Sequence, residues 1–179
     1  MATNHDNFHS WYTSVLIKLF PDRDAGFVIL MAVFPLLERY LRHKSGLTSR
    51  DDLTDGFMDS LRALFPELPD GSVCRHFWQV YRNGLLHEVT LSRESRHGTP
   101  MPVGWISHDR PIVSIDPDTS LWVNPVLFAQ RVLSTIDADF ATFEGPPSGR
   151  SKLPTVVAHV EPTVRGSVPS VLLGTRTGP

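Results

Sequence analysis

Apolar residues recur at helical spacing through the first half of the chain, and this periodicity constrains the fold more than any other feature. Four segments show it, at about 7–20, 22–44, 50–65 and 73–91, and proline, glycine or a helix-capping residue separates each from the next. Because each segment presents an apolar face, the segments must pack against one another to remove it from water. The first half therefore predicts a helical bundle.

Two details of these segments carry expectations of their own. Pro35 lies inside the second segment, where a proline removes a backbone hydrogen bond, so we expect a kink there. Thr48-Ser49 is expected to cap the third helix, which then runs to Phe65. That helix would carry an acidic stripe, interpreted as a solvated face with favourable charges at the helix start: Asp51, Asp52, Asp55 and Asp59.

The second half of the chain differs from the first in its amino-acid composition. Residues 92–110 are rich in Gly, Pro, Ser and His and predict a loop, whereas 111–123 predicts a β-hairpin. Asn124-Pro125 is expected to cap a fifth helix that ends near Phe143. The remainder, 145–179, predicts a flexible tail, because Pro, Gly, Ser and Thr occur throughout it without a sustained period. We thus expect a mainly α domain at 1–144, with about five helices and an inserted hairpin, followed by this tail.

Composition excludes several classes of protein. The chain has 179 residues, enough for one domain with a substantial core. Cys74 is the single cysteine, which excludes an intrachain disulfide and a cysteine-built zinc site and is typical of a reducing compartment. The longest apolar run, 25–37, is shorter than the roughly 20 residues of a membrane-spanning helix, and the N-terminal residues do not resemble a secretory signal. We therefore expect a cytoplasmic protein without a membrane segment.

The charge distribution limits contact with nucleic acid to one part of the chain. The net charge of −2 combines a tail, 145–179, of charge +3 with a remainder of charge −5. An acidic body does not attract a polynucleotide through its overall field, so any such contact must be local. The one basic stretch, 75–96, carries Arg75, Arg82, Arg93 and Arg96.

The fourth helical segment places a set of hydrogen-bonding side chains on one face. On an ideal helix of about 100° per residue, one arc collects Arg75, His76, Gln79, Arg82, Asn83 and His87, and the opposite side is apolar. A face that only meets water is typically rich in Lys and Glu, so this composition favours a binding or catalytic surface over an ordinary amphipathic helix. Leu86 interrupts the polar face, which indicates cover by a second copy of the chain. Glu88, on the apolar face, needs a partner such as Arg39 or Arg42.

Arg82 and His87 are the candidate catalytic pair on this face. Being five residues apart on an α-helix, they should flank a shallow groove about 140° wide rather than touch. Asn83, four residues before His87, could fix the orientation of the imidazole. An anion in the groove would be held by the guanidinium while the imidazole exchanges a proton, as in cleavage of an RNA phosphodiester by its neighbouring 2′-hydroxyl. That reaction requires no metal or other cofactor, and the candidate substrate-binding residues are Arg75, Gln79 and His76.

The sequence of this helix, Phe77-Trp78-Gln79-Val80-Tyr81-Arg82-Asn83-Gly84-Leu85-Leu86-His87, resembles the signature helix of the HEPN superfamily. Those all-helical domains carry an Arg, often followed by a polar residue such as Asn, and then a His; here four residues separate Arg82 from His87. The resemblance implies a helical bundle that forms a homodimer, with both copies of the motif in one cleft. It also implies a metal-independent endoribonuclease of a toxin–antitoxin or other defence system, with an antitoxin or another protein among its partners. Its catalytic residues would be Arg82, His87 and Asn83.

Two other interpretations stay open. The same polar face could belong to a HEPN-like module that binds a nucleotide, RNA or a protein partner without cleaving it, since some members of the superfamily lack catalysis. Alternatively, Arg82 and His87 could only complete a structural network at a dimer interface. Loss of cleavage, loss of binding or loss of the dimer in alanine variants distinguishes the three.

The remaining chemically reactive side chains do not form a recognised pattern. His5 and His9 have zinc-binding spacing, but no acidic residue follows them as in the metalloproteases, so no metal site is predicted. Cys74 lies on the apolar side of its helix and is expected to pack in the core. The same is expected of Trp78, Trp105 and Trp122.

Overall fold

The computed structural model of the chain describes residues 3–88, 91, 104–117 and 120–145, with the backbone alone at Glu88. It is mainly helical with one small sheet, as the sequence predicts. Among the described helices, none is long and apolar enough to cross a membrane. In chain order the helices are α1 (Asn4–Phe8), the π-helix π1 (His9–Thr13), α2 (Ser14–Leu19), a 3₁₀ turn (Arg23–Ala25), α3 (Gly26–Lys44), α4 (Asp55–Leu64), α5 (Gly71–Phe77), the π-helix π2 (Trp78–Glu88), α6 (Pro125–Ala138) and α7 (Phe140–Glu144).

The sheet contains β1 (Gly104–Ile106), β2 (Val113–Ile115) and β3 (Leu121–Val123), in the order β1-β3-β2. Strands β2 and β3 are antiparallel, which confirms the predicted hairpin. Strand β1 pairs in parallel with β3, so the prediction of a loop over 92–110 is wrong for this part of the segment. A strand of 3 residues is too short for periodicity to reveal it.

The centre of the core is an aromatic cluster where α3, π2 and α6 meet. Phe34 of α3 stacks on Tyr81 of π2 and on Phe128 of α6, with ring centroids 6.3 and 5.0 Å apart. All three side chains are fully buried. Aromatic pairs contribute roughly 0.5–1.5 kcal/mol each beyond the area that they bury. Helix α3 is therefore the element against which π2 is held.

Helix α3 passes through Pro35 and ends at a left-handed glycine. Gly46 has a φ of 69°, a conformation that glycine adopts without steric cost. The N–H groups of Gly46 and Leu47 donate to the carbonyls of His43 and Arg42, which is the pattern of a Schellman turn. This turn sends the chain back past the end of α3.

Helix α4 begins later than predicted. Asp51 accepts a hydrogen bond from the backbone N–H of Thr48 (2.6 Å), which fixes a turn at the expected cap. The cap is Thr54, whose side chain accepts from a first-turn N–H, so the helix starts at Asp55. Because Asp51 and Asp52 precede the helix, the predicted cap is wrong and so is the first half of the predicted acidic stripe.

The predicted fifth helix is divided into α6 and α7. Its beginning is as predicted, because the Asn124 side chain accepts from a first-turn N–H and a proline opens the helix. Asp139, with φ −132° and ψ 49°, leaves the helical region and accepts a hydrogen bond from the Tyr40 hydroxyl (3.0 Å). The prediction of one helix to Phe143 is thus wrong. Apart from Gly145, the predicted tail lies outside the described residues.

The buried hydroxyl of Tyr81 ties π2 to the sheet. Its oxygen lies 2.8 Å from the Trp105 carbonyl and 2.7 Å from the Leu121 carbonyl, and it accepts from Trp105 N–H. Burial raises the pKa of this phenol above its ordinary value, so the hydroxyl keeps its proton and remains a donor. Gly104 permits the close approach of β1, because a Cβ there would lie 2.5 Å from Val80 Cγ1.

We expect Tyr81→Phe to lower the free energy of unfolding by about 1–3 kcal/mol, because the carbonyls of the sheet lose their donor. Chemical denaturation measures this loss. Tyr40→Phe is the matched control, since its hydroxyl reaches Asp139, a side chain that water can solvate in its place. Equal losses in the two variants would contradict the anchoring role of Tyr81.

Candidate functional site

Helix π2 places Arg82 and His87 in direct contact. In a π-helix the backbone hydrogen bonds join residues five apart, so side chains with that separation lie almost above one another. Arg82 and His87 have this separation, and Arg82 Nη1 lies 2.7 Å from His87 Nε2. The expectation that the two side chains flank a groove without touching is therefore wrong. Its cause is the winding, since the prediction assumed an α-helix throughout.

The contact defines the chemical state of the imidazole. A guanidinium only donates hydrogen bonds, so His87 Nε2 accepts from Arg82 Nη1–H and carries no proton itself. A neutral ring that accepts at Nε2 has its proton on Nδ1. His87 is exposed whereas Arg82 is half-buried, so the imidazole is the more accessible of the two. An accessible, unprotonated nitrogen is what a general base requires.

Glu38 of α3 holds the guanidinium through a second contact. Its Oε2 accepts from Arg82 Nε–H and its Oε1 from Arg42 Nε–H, each at 2.8 Å. The side chains of Glu38, Arg42 and Arg82 are 13%, 15% and 23% exposed, so the three charges are largely shielded from water. Two guanidiniums around one carboxylate leave a net positive charge. This charge favours an anion at the exposed edge of the cluster.

The loop after α3 fixes Arg42. Arg42 Nη1 donates to the carbonyls of Thr48 (2.8 Å) and Asp51 (2.9 Å), which the turn at Gly46 brings past the helix end. Hydrogen bonds to charged groups stabilise by about 1.5–3 kcal/mol. The loop therefore positions Arg42, which positions Glu38, and Glu38 in turn holds Arg82.

Asn83 contacts the guanidinium instead of the imidazole. Its Oδ1 accepts from Arg82 Nη1–H at 3.1 Å, so the expected orientation of His87 by Asn83 is indirect and passes through Arg82. Arg82 Nη1 thus donates to Asn83 and His87, while Nε donates to Glu38. Within the described part of the chain, Arg82 Nη2 donates no hydrogen bond.

Among the described residues, the three candidate substrate-binding residues form no hydrogen bond or ion pair with this cluster. Arg75 is exposed and pairs with Asp55 of α4, and Gln79 is exposed. His76 is half-buried, and burial lowers the pKa of its imidazole. The prediction that these residues share a face with Arg82 assumes an α-helix throughout. The change to a π-helix at residue 78 alters the angle around the helix axis between them and Arg82.

The sequence also predicts that Cys74 and three tryptophans, Trp78, Trp105 and Trp122, pack in the core. Cys74 and Trp78 are buried in the core, as predicted. This burial raises the pKa of the Cys74 thiol. The prediction is wrong for the other two tryptophans. Trp105 is exposed and stacks on the half-buried Trp122, with ring centroids 5.5 Å apart.

Glu38 is the site residue that sequence reasoning missed. Its position four residues before Arg42 is the spacing of a helical ion pair, which is the one available signal. The sequence instead offered Arg39 or Arg42 as partners of Glu88. Arg42 is bound to Glu38, Arg39 Nε donates to the Phe143 carbonyl (2.9 Å), and the Glu88 side chain lies outside the described residues.

A guanidinium, an imidazole nitrogen that accepts its hydrogen bond and a positive local charge therefore lie together, with the imidazole exposed. This combination can bind an anion and remove a proton from a group beside it. No protein family, curated protein or solved structure compared with the chain matches it.

Glu38→Gln tests whether the carboxylate positions the pair. We expect the free energy of unfolding to fall by about 1–3 kcal/mol, because two shielded guanidiniums lose the charge between them. We also expect the ring signals of His87 to shift in NMR spectra, since Arg82 is no longer held at Nε.

Glu67→Gln is the matched control, because it breaks the part-buried pair of Glu67 with Arg131 (2.8 Å). This variant should lose stability without moving the His87 signals. Identical His87 signals in the wild type and in Glu38→Gln would contradict the positioning role.

Proposed function

We propose that the protein is a metal-independent endoribonuclease of HEPN type, in which Arg82 and His87 act on one RNA phosphodiester. The observation that carries this proposal is the 2.7 Å contact between Arg82 Nη1 and an unprotonated His87 Nε2. It joins an anion-binding group to a proton acceptor at one position. The spacing of Arg82, Asn83 and His87, which resembles the HEPN signature, supports the same class of reaction.

Substrate binding would begin with an exchange of the Arg82 donors. Nη2 donates to a non-bridging phosphate oxygen, and Nη1 exchanges His87 for a second phosphate oxygen. The guanidinium thereby forms the bidentate hydrogen bonds that it typically makes with phosphate. His87 Nε2 is thereby released next to the bound group. Glu38 keeps the guanidinium in place during the exchange, because it binds Nε.

The cleavage step needs one proton acceptor and one proton donor. His87 Nε2 takes the proton of the 2′-hydroxyl, O2′ attacks phosphorus, and the bond from phosphorus to O5′ breaks. The products are a 2′,3′-cyclic phosphate and a 5′-hydroxyl, whose proton comes from solvent or from a second imidazole. Arg82 stabilises the charge that develops on the non-bridging oxygens, a contribution of about 10²–10³ in rate for one such donor.

The proposed enzyme is a homodimer with both clusters in one cleft, as the HEPN resemblance implies. Leu86, beside His87, is half-buried, and Trp11 and Val15 are exposed four residues apart in the first helical stretch, residues 4–19. Apolar side chains that are exposed or only half-buried are suited to cover by a second copy. The partner's imidazole would then protonate the leaving oxygen. A cytoplasmic toxin–antitoxin or other defence role, with an antitoxin or another protein as partner, belongs to the same proposal.

A non-catalytic module that binds a nucleotide, RNA or a protein through the same face is the second candidate. It is favoured by the engagement of Arg82, whose Nε and Nη1 already contact Glu38, Asn83 and His87. A guanidinium whose orientation is held by these contacts is suited to bind one anion in a fixed position. The net charge of −5 outside 145–179 also favours a small ligand over a long polynucleotide.

Incubation of a mixed RNA pool with purified protein in EDTA separates the candidates. We expect the wild type to produce 2′,3′-cyclic phosphate ends, and Arg82→Ala and His87→Ala each to lose at least about 100-fold in rate. Asn83→Ala should lose less, about 10-fold, because it only positions Arg82. Arg23→Ala is the matched control and should keep full activity, since Arg23 is 68% exposed and pairs with the exposed Asp109.

Other results would assign the alternatives. RNA binding that Arg82→Ala weakens, without cleavage by the wild type, would establish the binding module. A lower melting temperature and a monomer in sizing chromatography, with neither cleavage nor binding, would leave Arg82 and His87 as structural residues. Equal cleavage by the wild type and His87→Ala would exclude His87 as the proton acceptor.

A further inference from the structure

Three side chains whose atoms could ligate a metal converge at the surface outside the candidate nuclease site. His5 and His9 lie four residues apart in the first helical stretch, and Asp137 lies near the end of α6. Nε2 of His5 and Nε2 of His9 lie 2.6 and 2.7 Å from the same oxygen, Asp137 Oδ1. The three potential ligand atoms all lie within 4.8 Å of one another.

Packing holds the two imidazoles in place while one side stays open. The His5 ring packs against Phe140 of α7 with centroids 4.6 Å apart, and the His9 ring meets His5 edge-on at 4.8 Å. The side chains of His5, His9 and Asp137 are 42%, 45% and 46% exposed, so ions in solution reach them. A metal site needs both features, namely oriented ligands and a path of entry.

We propose that His5, His9 and Asp137 bind one Zn²⁺ ion. Zinc takes imidazole nitrogen and carboxylate oxygen at about 2.0–2.2 Å, and a site with three protein ligands leaves the fourth tetrahedral position to water. Such bonds place neighbouring ligand atoms about 3.3 Å apart. The nitrogen–oxygen distances here are shorter, so the ligands must separate by about 0.6 Å, which half-exposed side chains achieve by small rotations.

The donor set selects the class of ion. Two imidazoles and one carboxylate suit zinc and its neighbours in the first transition row, whereas Ca²⁺ and Mg²⁺ require sets of oxygen ligands. Both imidazole nitrogens already point at one carboxylate oxygen, so a cation inserted between them contacts all three groups. The third ligand has no counterpart near the histidines in sequence, because 132 residues separate His5 from Asp137.

The ion would connect the first helical stretch to α6. Because the three ligands come together only in the folded chain, an ion bound to them stabilises the fold by mass action. The gain grows with the ratio of free ion to Kd. Thermal stability therefore reports on binding independently of any catalytic activity.

Tag-free protein, stripped with EDTA and dialysed, tests the site with ZnCl₂ alone. We expect one Zn²⁺ per chain by calorimetry, and a melting temperature about 5–10 °C higher at a free ion concentration of about 100 Kd. His5→Gln, His9→Gln and Asp137→Asn should each weaken binding by at least about 100-fold. Even the loss of a group that only orients a zinc ligand costs about 10–100-fold.

His87→Gln is the matched control, because it removes an exposed histidine from the other cluster and should leave the zinc affinity unchanged. Co²⁺ provides a second readout. The wild type should show the visible absorption bands of a tetrahedral site with nitrogen and oxygen ligands. The three ligand variants should lack these bands, even where a substitution lowers stability. No saturable binding, or equal affinity in the wild type and the ligand variants, would overturn the site. Since RNA cleavage is measured in EDTA, failure of either proposal leaves the other intact.

Discussion

The π winding of Trp78–Glu88 is the constraint on which the rest of the arrangement depends. It converts a separation of five residues, which an α-helix spreads around its circumference, into a 2.7 Å contact between Arg82 and His87. Long π-helices are rare, so tertiary contacts must hold this one. Tyr81 provides them, because its ring stacks on Phe34 of α3 and its hydroxyl reaches the Leu121 carbonyl of the sheet. The small sheet thus helps to fix the winding that the site requires.

Charge in the site is set by one carboxylate between two guanidiniums. Shielding Arg82 from water without a partner would be unfavourable, and Glu38 offsets that cost. Arg42 shares the same carboxylate, so Arg82 is not fully neutralised and the cluster keeps a positive charge. Arg42 is also bound by two backbone carbonyls, whereas Arg82 is the guanidinium in contact with His87. The two arginines therefore have different roles, and the left-handed turn at Gly46 is the backbone feature that allows the difference.

Local signals explain which parts of the fold were accessible from the sequence. The mainly helical character, the hairpin and the Asn124 cap each have a pattern within a few residues, and the sequence predicts each of them. Strand β1 is defined by its pairing with β3, and the break at Asp139 by a bond from Tyr40, so neither has a local pattern. Arg82 and His87 are candidates from the sequence alone, but their contact has no local pattern, because it depends on the π winding of this helix. Glu38 and Asp137 were missed for one reason, namely that the partners which define their roles are distant in the chain.

The two positions proposed to bind a ligand differ in the charge of the group beside each histidine. His87 faces a guanidinium, so its Nε2 accepts a hydrogen bond and its surroundings repel a metal ion. His5 and His9 face a carboxylate, so their Nε2 atoms donate to it and their surroundings attract one. A phosphate is therefore expected at the first cluster and Zn²⁺ at the second, and neither ligand suits the other position. Because the residue type is the same in both, the charge of the neighbouring group, and not the imidazole itself, determines the chemistry that each cluster supports.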